Sequence, residues 1–581
     1  MPNNECQHSP IVTETVDMLF RRSKLVPKQS PRLFSLLLTL AEETLVQSNV
    51  AHRLTEEEEA ILERSLSLPF LGKANQEDWA NPCHPVLWDP RTHLLYFSKH
   101  WGEERRIGEF VRACLQKNEI FPPPSEEEIR ALSPKLAKAE AAGQVEGVRR
   151  CVGHRLAMLT GGPGTGKTTT LGAILAWEFR RNPELSVALC APTGKAAGQM
   201  MRSLREELEE ENGLAAGDPA TREKLKALQA TTLHRLLGIT LSRQGLPQFH
   251  RDNRLPYDLV VLDEGSMADL HLFARLTDAL PENGRLLLLG DKDQLDSVET
   301  GVVFGDLAKI LPKNCTQFLA HNFRSREIPE LVEFAQLLSR EKEEEAEAMA
   351  EGLFAAPKEG KFRCEDLQKA SLGKAVKEIW QKWRMPLPPR ENESQGLSPE
   401  EEAESWLAFH DKFKILSPLR KGKTGVEEMN QIMESLLGCG KKRWGLPVLN
   451  TRNDSATHLQ NGDIGVRLGD QVFFRVADPQ SGETTIQGFP WAMLQEQCEP
   501  AYAMTIHKSQ GSSYDHVLVV FPDTENPLLT RNLLYTAITR AKKDCTIWAP
   551  KERLKEAILT TFPRVSGLAE ACQEADAQDQ A

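Results

Sequence analysis

The sequence predicts an α/β protein with two domains built on parallel β-sheets. Short runs of four to seven apolar residues recur along the chain, and longer segments with helical periodicity separate them. Such runs are typical of strands buried on both faces of a parallel sheet. They fall into two groups, LAMLT at 156, SVALCAP at 186, DLVVLDE at 258 and RLLLLGD at 285, then FKILSP at 413, HVLVVFP at 516 and CTIWAP at 545. Two groups of strands predict two α/β domains.

Length and composition agree with a globular protein of several domains. The chain has 581 residues, of which 40% are hydrophobic and 27% are charged, and this composition excludes collagen, a long coiled coil and wholesale disorder. The net charge of −12 argues against a protein that coats nucleic acid with a general positive field, but it leaves a local groove possible. The apolar stretch at residues 33–40 is too short for a membrane helix, and the first residues lack a secretory signal. We therefore expect a cytoplasmic protein with no membrane partner.

The cysteines give a second indication of the compartment. Eleven cysteines are scattered singly along the chain, and none forms a C-x-x-C pair. The odd number and the irregular spacing favour reduced thiols, mostly in the core, over a disulfide framework or a metal site.

Breaks in the sequence pattern divide the chain. The proline run at residues 121–124 precedes a helix-start signal, and the residues before it have a mainly helical pattern. Residues 385–399 mix Pro, Gly and polar side chains without periodicity, which predicts an exposed loop or linker. We expect a mainly helical N-terminal domain over 1–120, a first α/β domain over 121–330 and a second over 331–566. The short acidic segment 567–581 is expected to be a disordered tail.

The strongest single signal follows the first strand. Residues 161–168, GGPGTGKT, match the phosphate-binding pattern G-x-x-x-x-G-K-[ST] between LAMLT and a predicted helix over 169–179. Glycines let the loop curl so that backbone N–H groups face phosphates, Lys167 meets the β/γ charge, and Thr168 offers its hydroxyl to Mg²⁺. The predicted nucleotide-binding residues are Gly161, Gly162, Pro163, Gly164, Thr165, Gly166, Lys167, Thr168 and Thr169.

Polar side chains after later strands predict the rest of a hydrolytic site. Asp263 and Glu264 follow the strand DLVVL, where an aspartate can hold the Mg²⁺ shell and a glutamate can polarise the attacking water. Gln294 follows the strand RLLLLG, where a neutral amide could touch the γ-phosphate and report its loss. Arg324 and Arg540 are candidates to neutralise charge that develops on the γ-phosphate. Taken singly, Asp263, Glu264 and Gln294 are more often loop or turn residues, and their position at strand ends favours the catalytic interpretation. An arginine taken singly is usually a surface cation, and what favours Arg324 and Arg540 is the family resemblance of the segments that contain them.

Nine segments in order carry a family resemblance. They are GGPGTGKTTT at 161, APTGKAA at 191, TTLHRLLG at 231, VVLDEGSM at 260, GDKDQLDSVETG at 290, NFR at 322, NGDIG at 461, AYAMTIHKSQGSS at 501 and LLYTAITRAKK at 533. Together they resemble the motifs of RecD-type superfamily 1 helicases over roughly residues 140–550. The resemblance implies two RecA-like P-loop motor domains, hydrolysis of ATP with Mg²⁺, and movement along single-stranded DNA from 5′ to 3′.

The same resemblance implies roles for further residues. Gln144 lies at the position of a glutamine that reads adenine, and Gly511 is expected near the nucleotide. The residues that match DNA-contacting segments are Thr193, Lys195, Thr232 and His234 on the first motor domain and Thr505, His507 and Ser509 on the second. Three positions depart from the usual pattern without removing a catalytic group, namely Gly265, Ala268 and Asp296.

The partner expectations also rest on resemblance. Residues 94–104, LLYFSKHWGEE, are similar to an aromatic stretch in the N-terminal domain of the alpha subunits of exodeoxyribonuclease V, and only about 120 residues precede the helicase core. This resemblance implies a heterotrimer with beta and gamma subunits that processes double-stranded DNA ends in recombinational repair, with residues 1–120 as the docking module. We recognise no nuclease constellation in the sequence, so cleavage is expected from the beta subunit. The alternatives are a stand-alone RecD-like helicase and a nucleotide-bound structural subunit with an idle motor.

One small domain is expected inside the second α/β domain. Residues 461–497 alternate apolar and polar side chains between glycine turns, which predicts a small β-barrel. The resemblance implies that this barrel is SH3-like and helps to clamp DNA. A hairpin that extends the parallel sheet is the alternative.

Overall fold

The computed structural model contains three units and four β-sheets in the residues that it describes. These residues are 9–74, 82–210, 213–240, 245–297, 299–355, 360–366, 372–383, 387–388, 397–437, 444–454, 456–477, 484–562 and 564–573. The units follow one another along the chain, and we call them the N-terminal unit, the first α/β unit and the second α/β unit. An antiparallel sheet, the insertion sheet, is attached to the second α/β unit.

The N-terminal unit combines helices with a small sheet. Its helices are α1 (Pro10–Arg22), α2 (Pro31–Leu45), α3 (Glu56–Ser65) and α4 (Ser98–Gln116). Its strands are β1 (Ala51–Arg53), β2 (Leu71–Lys73), β3 (Val86–Asp89) and β4 (Leu94–Phe97), in the order β1-β4-β3-β2. The sequence predicted helices here but not the sheet, because strands of three or four residues are too short to show an alternating pattern.

The first α/β unit is a six-stranded parallel sheet with helices on both faces. Its strands are β5 (Leu156–Gly161), β6 (Val187–Ala191), β7 (Ala230–Thr232), β8 (Leu259–Leu262), β9 (Arg285–Gly290) and β10 (Thr316–Leu319), in the order β10-β5-β9-β8-β6-β7. Every residue of β5, β8 and β9 is buried, as expected for strands covered on both faces. The four strands that the sequence predicted in this unit are confirmed.

Three helices of the first α/β unit precede β5, and the others lie between its strands in the sequence. In chain order, the helices are α5 (Glu126–Arg130), α6 (Pro134–Ala137), α7 (Ala142–Cys151), α8 (Lys167–Arg181), α9 (Gly194–Glu209), α10 (Pro219–Ala227), α11 (Leu233–Leu236), α12 (Leu270–Ala279) and α13 (Val303–Ile310). The predicted helix start at Ser125 is present, because the Ser125 hydroxyl accepts the Glu128 N–H and the Glu128 carboxylate accepts the Ser125 N–H. The helix after the phosphate-binding loop is α8, which extends two residues beyond its predicted bounds at each end.

The second α/β unit contains a five-stranded parallel sheet. Its helices are α14 (Pro329–Ser339), α15 (Glu343–Phe354), α16 (Leu372–Trp383), α17 (Pro399–His410), α18 (Val426–Leu437), α19 (Trp491–Leu494), α20 (Arg531–Ile538) and α21 (Lys551–Leu559). Its parallel strands are β11 (Phe362–Glu365), β12 (Phe413–Ser417), β18 (Ala503–Thr505), β19 (Tyr514–Val520) and β20 (Ala541–Trp548), in the order β11-β20-β19-β12-β18. The three predicted strands of this group are confirmed as β12, β19 and β20.

The insertion sheet separates β12 from β18 in the sequence. It contains β13 (Trp444–Asn450), β14 (Ile464–Leu468), β15 (Gln471–Ala477), β16 (Thr484–Pro490) and β17 (Cys498–Pro500), all antiparallel, in the order β16-β15-β14-β13-β17. It is a separate sheet, so the alternative of a hairpin that extends the parallel sheet is wrong. The predicted bounds of 461–497 omitted β13 and β17. Gly445 and Pro447 interrupt the strand pattern of β13, and β17 has only three residues, too few to show an alternating pattern.

The prediction of a disordered tail from residue 567 is wrong for residues 567–573. Residues 564–573, which we call the C-terminal strap, end in the helix α22 (Leu568–Gln573). The side chains of Leu568, Ala571 and Cys572 are buried, and α22 packs on α4 of the N-terminal unit. Their spacing of three and four residues gives one apolar face, which the short length of the segment concealed in the sequence. Residues 574–581 lie outside the described residues.

Three further expectations concern features outside the sheets. All nine cysteines in the described ranges carry free thiols, and seven of them are buried, as predicted. Most of the linker predicted at 385–399 lies outside the described residues. Within the ranges given above, no helix has both the length and the apolar character that crossing a bilayer requires.

Candidate functional site

A cleft of about 340 Å³ lies between the two α/β units. The carboxyl ends of β5, β8 and β9 form one wall, because parallel strands bring the loops that follow them to the same edge of a sheet. The second α/β unit supplies the opposite wall. The predicted residues that line the cleft are Pro163, Gly164, Gly166, Lys167, Thr168, Thr169, Asp263, Glu264, Gln294, Arg324, Gly511 and Arg540.

The phosphate-binding loop has a backbone that only glycine adopts readily. Gly164 and Gly166 have φ angles of 77° and 85°, in the left-handed region. Gly166 leads directly into α8, so the first N–H groups of that helix point at the cleft. The Lys167 ammonium donates to the carbonyls of Gly161, at 2.5 Å, and Gly162, at 3.2 Å. The loop is therefore shaped for phosphate, with its lysine held against the loop backbone.

Four predicted nucleotide-binding residues lie behind this lining. Gly161 ends β5, and Gly162 follows it as a carbonyl acceptor. The buried Thr165 hydroxyl donates to the Gly162 carbonyl at 2.8 Å. The Gln144 amide, on the first turn of α7, donates to the Gly166 carbonyl at 3.2 Å. Gln144 thus braces the loop, and its expected contact with adenine stays a prediction.

The acidic pair after β8 is half-buried at the base of the cleft. Asp263 accepts the Glu264 N–H at 2.9 Å, and Glu264 has a left-handed backbone with φ of 50°. Burial raises the pKa of the Asp263 carboxyl, the charge of Glu264 raises it further, and Lys167 opposes both effects. Oxygen Oε2 of Glu264 is buried without a hydrogen-bond partner among the described residues. The pair therefore holds negative charge that the protein itself does not fully compensate.

The loop at residues 291–295 carries the predicted sensor Gln294. Its side-chain amide donates to Oδ2 of Asp291 at 2.9 Å, and both residues are buried. The Tyr535 hydroxyl, from the second α/β unit, donates to the same oxygen at 3.1 Å. Asp291 thus receives hydrogen bonds from both walls of the cleft.

The two predicted arginines converge on the cleft. The Arg324 N–H donates to Asn322 at 2.8 Å, and the Asn322 amide donates to the Pro163 carbonyl at 3.2 Å, which fixes this segment against the phosphate-binding loop. Arg540 follows α20, and its guanidinium donates to the Thr536 carbonyl at 2.9 Å. Burial lowers the pKa of Arg324, the charge of Arg540 lowers it further, and Glu264 opposes both. The two guanidinium groups therefore lie close to each other and to Glu264.

The DNA-contacting residues predicted on the first α/β unit follow β6 and β7. Thr193 and Thr232 cap α9 and α11, where their hydroxyls accept backbone N–H groups. His234 is exposed, whereas the Lys195 ammonium is buried and has no hydrogen-bond partner in the part of the chain that the structure describes. Burial lowers the pKa of Lys195 to about 8, and the carboxylate of Asp463 in the second unit opposes this effect.

The residues predicted on the second α/β unit follow β18. Thr505 ends that strand, and His507 begins a short 3₁₀ turn. Burial lowers the pKa of His507. Ser509 is wholly buried, and its hydroxyl donates to the Ile506 carbonyl at 2.6 Å. The structure does not place the Ser509 side chain for contact with DNA, which differs from the prediction for this residue.

Several cleft residues were missed by the sequence reasoning. Lys135 lines the cleft and pairs with Glu207 at 3.0 Å, and the Thr169 hydroxyl donates to Glu207 at 2.7 Å. Neither Lys135 nor Glu207 belongs to a motif. Phe323 and Tyr535 could have been found, because they lie inside the segments NFR and LLYTAITRAKK.

Packing accounts for the departures from the family pattern. A Cβ atom on Gly265 would approach Cδ2 of Phe304 to 2.8 Å, so only glycine fits beside that ring. Ala268 is buried. Burial raises the pKa of Asp296 to about 6, and the charge of Arg564 in the C-terminal strap opposes the shift. These positions serve packing and the strap, and they lie outside the cleft lining.

Comparisons with known proteins agree with this geometry. Residues 144–300 match the AAA domain family, and residues 500–548 match the UvrD-like helicase C-terminal domain. The chain is 33% identical over 522 residues to the RecBCD enzyme subunit RecD of Mycolicibacterium smegmatis, which covers 87% of this chain and 88% of that protein. The chain is 29% identical over 592 residues to the RecBCD enzyme subunit RecD of Haemophilus influenzae, and the match covers 90% of this chain and 88% of that protein. It is 30% identical over 464 residues to the ATP-dependent RecD2 DNA helicase of Deinococcus radiodurans, and this match covers 77% of this chain and 54% of that protein.

The similarity to the relatives named as RecD spans most of the chain on both sides of each comparison. The two family models match residues 144–300, in the first wall of the cleft, and residues 500–548, in the second. On this evidence the chain belongs to the RecD family of ATP-dependent superfamily 1 DNA helicases.

Proposed function

We propose that the protein is a 5′ to 3′ DNA helicase and translocase that acts in the cytoplasm as the alpha subunit of exodeoxyribonuclease V. It works with beta and gamma subunits on double-stranded DNA ends in recombinational repair. One observation carries the proposal, namely a single cleft in which Lys167 of the first α/β unit faces Arg540 of the second. A triphosphate held there contacts both units, so its binding favours a closed arrangement and its hydrolysis releases it.

The cleft residues fit ATP with Mg²⁺. Lys167 and the loop Gly161–Thr169 bind the phosphates, and Thr168 and Asp263 hold the cation, which neutralises phosphate charge when bound. The partnerless oxygen of Glu264 and the raised pKa of Asp263 support this fit, because a divalent cation would relieve the repulsion between the two carboxylates.

The remaining residues act on the γ-phosphate and the base. Glu264 polarises the attacking water, and Gln294 reports the γ-phosphate. Arg324 and Arg540 compensate the charge that develops during transfer. Gln144 recognises adenine from α7, and Gly511 lies beside the nucleotide.

DNA lies across the strand ends of both α/β units in this proposal. Single-stranded DNA meets hydroxyl, ammonium and imidazole groups on its phosphates, and its bases stack without sequence preference. The SH3-like insertion helps to clamp the strand. Its proximity to the first unit supports this role, because the Gly462 loop approaches the Lys195 side chain and Asp463 carries the charge that acts on Lys195. The contact residues are Thr193, Lys195, Thr232, His234, Thr505 and His507.

The subunit interpretation rests on the relatives and on the N-terminal unit. Two relatives that match over most of their length are named as subunits of the RecBCD enzyme, and the RecD2 helicase is matched over 54% of its length. Ile11 and Met18 lie seven residues apart on α1, and their side chains are 58% and 45% exposed. An apolar helix face of this kind supports a docking role for residues 1–120.

DNA-stimulated ATP turnover tests the motor. We expect single-stranded DNA to raise turnover of the wild-type protein at least about tenfold, and Lys167→Ala to lower turnover more than about 100-fold while the melting temperature is kept. Lys313→Ala, which changes an exposed lysine of the same unit, is the matched control. If DNA does not change the rate of ATP turnover, the proposed motor function is wrong. Normal turnover in Lys167→Ala would contradict the assignment of the ATP site.

The alternative of a stand-alone helicase is tested by purification from cells. Co-purification with two larger subunits supports the heterotrimer. A monomer that unwinds DNA fully without them supports the stand-alone helicase. Forked substrates with a single 5′ or 3′ overhang test the polarity, and unwinding that needs the 3′ overhang would contradict it.

A further inference from the structure

One face of α20 contacts the 291–295 loop across the cleft. Asn532, Tyr535 and Thr536 are spaced three and four residues apart, so their side chains project from the same side of the helix. The Asn532 amide donates to the Gln294 carbonyl at 3.2 Å. The Thr536 hydroxyl accepts the Leu295 N–H at 2.9 Å. These two bonds fix the backbone of the loop that carries the sensor glutamine.

The third side chain of this face reaches the sensor itself. The Tyr535 hydroxyl donates to Oδ2 of Asp291 at 3.1 Å, and Gln294 donates its side-chain amide to the same oxygen at 2.9 Å. Oδ1 of Asp291 is engaged by the Asp293 N–H at 3.1 Å. Tyr535 is buried, and burial together with the Asp291 charge holds the pKa of its hydroxyl well above the usual value, so the hydroxyl stays a donor.

Arg540, on the opposite wall, lies two residues beyond the end of the same helix. Arg540 donates to the Thr536 carbonyl, four residues earlier, so its guanidinium is tied to the turn that also binds Leu295. Any movement of α20 relative to the first α/β unit therefore moves Arg540 and withdraws Tyr535 together. Gln294 and Arg540 are therefore linked through α20 and the turn that follows it.

We propose that Tyr535 is a positioning residue for ATP hydrolysis, which acts through Asp291 to hold the Gln294 side-chain amide at the cleft while the two α/β units are docked. When the units separate, Asp291 loses the donor that fixes its carboxylate, and Gln294 loses its fixed acceptor. Hydrolysis is thereby restricted to the docked arrangement. The inference rests on the proposed ATP site and deepens it.

The test is Tyr535→Phe in the full chain, with ATP turnover measured in saturating single-stranded DNA. The substitution keeps the ring and removes one hydrogen bond to a carboxylate, so we expect kcat to fall about tenfold with KM for ATP within about twofold of wild type. Tyr514→Phe is the control, because Tyr514 is also buried in the same unit and its hydroxyl contacts the side chains of Met504 and Ser512 instead.

A double-mutant cycle separates positioning through Asp291 from a general effect on packing. If Tyr535 acts through Asp291, Tyr535→Phe should add little to the loss already caused by Asp291→Asn. The inference would be overturned if the factors by which kcat falls in the two single variants multiply in the double variant, or if Tyr514→Phe loses as much kcat as Tyr535→Phe. It would also be overturned if Tyr535→Phe changes KM alone or keeps the wild-type kcat. A wild-type protein with DNA-stimulated turnover leaves the proposed function standing in all these cases, whereas absent turnover in the wild type defeats the proposed function itself.

Discussion

Glu264 combines two unusual features at one position. Its φ of 50° places a bulky residue in the left-handed region, and one oxygen of its carboxylate is buried without a hydrogen-bond partner among the residues described. Both features are unfavourable for the folded protein, and they persist only where the surroundings enforce them. The Glu264 N–H donates to Asp263, and its carbonyl accepts the Met267 N–H at 3.0 Å, so the backbone is held from both sides. These features are typical of a side chain whose carboxylate must contact a reactant rather than another group of the protein.

We predict that Glu264→Gln separates nucleotide binding from hydrolysis. The amide keeps the shape of the side chain but cannot take up a proton from water, so kcat should fall at least about 100-fold while ATP affinity is kept. Single-turnover hydrolysis and fluorescent-nucleotide titration measure the two quantities. Glu282→Gln, at an exposed position of the same unit, is the control. Unchanged kcat would remove Glu264 from the chemistry.

The site could be predicted where its residues follow strands in a recognisable order. The loop from Gly161 to Thr168 and the pair at Asp263 stand directly after buried strands, so a local pattern was enough to place them at one sheet edge. Lys135, Glu207 and the hydrogen bond from Tyr535 to Asp291 depend on how distant segments pack. No local pattern encodes such contacts.

The contact between α4 and α22 shows how one glycine permits a helix pair. A Cβ atom on Gly108 would lie 2.6 Å from the Ala571 carbonyl oxygen, which is closer than any real Cβ contact. The close approach lets Leu568, Ala571 and Cys572 reach the core. A six-residue helix is too short to be stable alone, so this packing is what forms it.

We predict that Gly108→Ala displaces α22 and destabilises the protein by about 2 kcal/mol, the value for burial of roughly one leucine side chain. Urea unfolding followed by circular dichroism measures the change. Gly352→Ala is the matched control, since Gly352 lies in the exposed part of α15 and, apart from its chain neighbours and its own helix backbone, no described atom lies within 4 Å of where its Cβ would be. That substitution should stabilise by about 0.5–1 kcal/mol, because alanine loses less entropy in a helix. Equal stability of wild type and Gly108→Ala would contradict the packing argument.

At the scale of elements, the sequence predicted long buried strands better than short elements. The strands β5, β8 and β9 are continuous apolar runs, so they were identified without tertiary information. The four short strands of the N-terminal unit and the helix α22 were missed, because each depends on its neighbours for stability and carries too few residues to show a period.

The C-terminal strap joins all three units of the molecule. Arg564 donates to the carbonyls of Ser297, at 2.7 Å, and Glu299, at 2.9 Å, in the first α/β unit. Further along the strap, the Ser566 hydroxyl and the Gly567 N–H donate to the Glu104 carboxylate of the N-terminal unit at 2.8 and 3.0 Å. The polypeptide that leaves the second α/β unit is therefore fixed to the other two.

We predict that Glu104 makes the stability of the whole molecule depend on pH. Burial raises its pKa from 4.5 to about 7, with a further contribution from Asp306, and the strap donors and Tyr96 oppose the shift. A carboxyl with a raised folded-state pKa stabilises the protein fully below about 4.5, and this contribution is lost as the pH rises through about 7. The loss is at most roughly 3 kcal/mol.

Melting temperatures of wild type and Glu104→Gln between pH 5 and pH 8 test this prediction. The wild-type protein should lose stability relative to the variant as the pH rises, because the amide does not titrate. Glu63→Gln, an exposed acid on α3 of the same unit, should follow the wild type. Parallel curves for wild type and Glu104→Gln would contradict the assignment. Other charged groups near Glu104 include Arg105 and Asp306.

The polypeptide passes between the two α/β units twice, once near residue 325 and again ahead of Arg564. At the first passage, the Ser325 hydroxyl donates to the Ala541 carbonyl at 2.9 Å. At the second, Arg564 donates to the carbonyls of Ser297 and Gly301. Two fixed passages together define a hinge between the two units. The axis of this hinge runs through the two passages. A rotation that opens the cleft should therefore displace these two points little, while Tyr535 and Arg540 move away from the glycine loop.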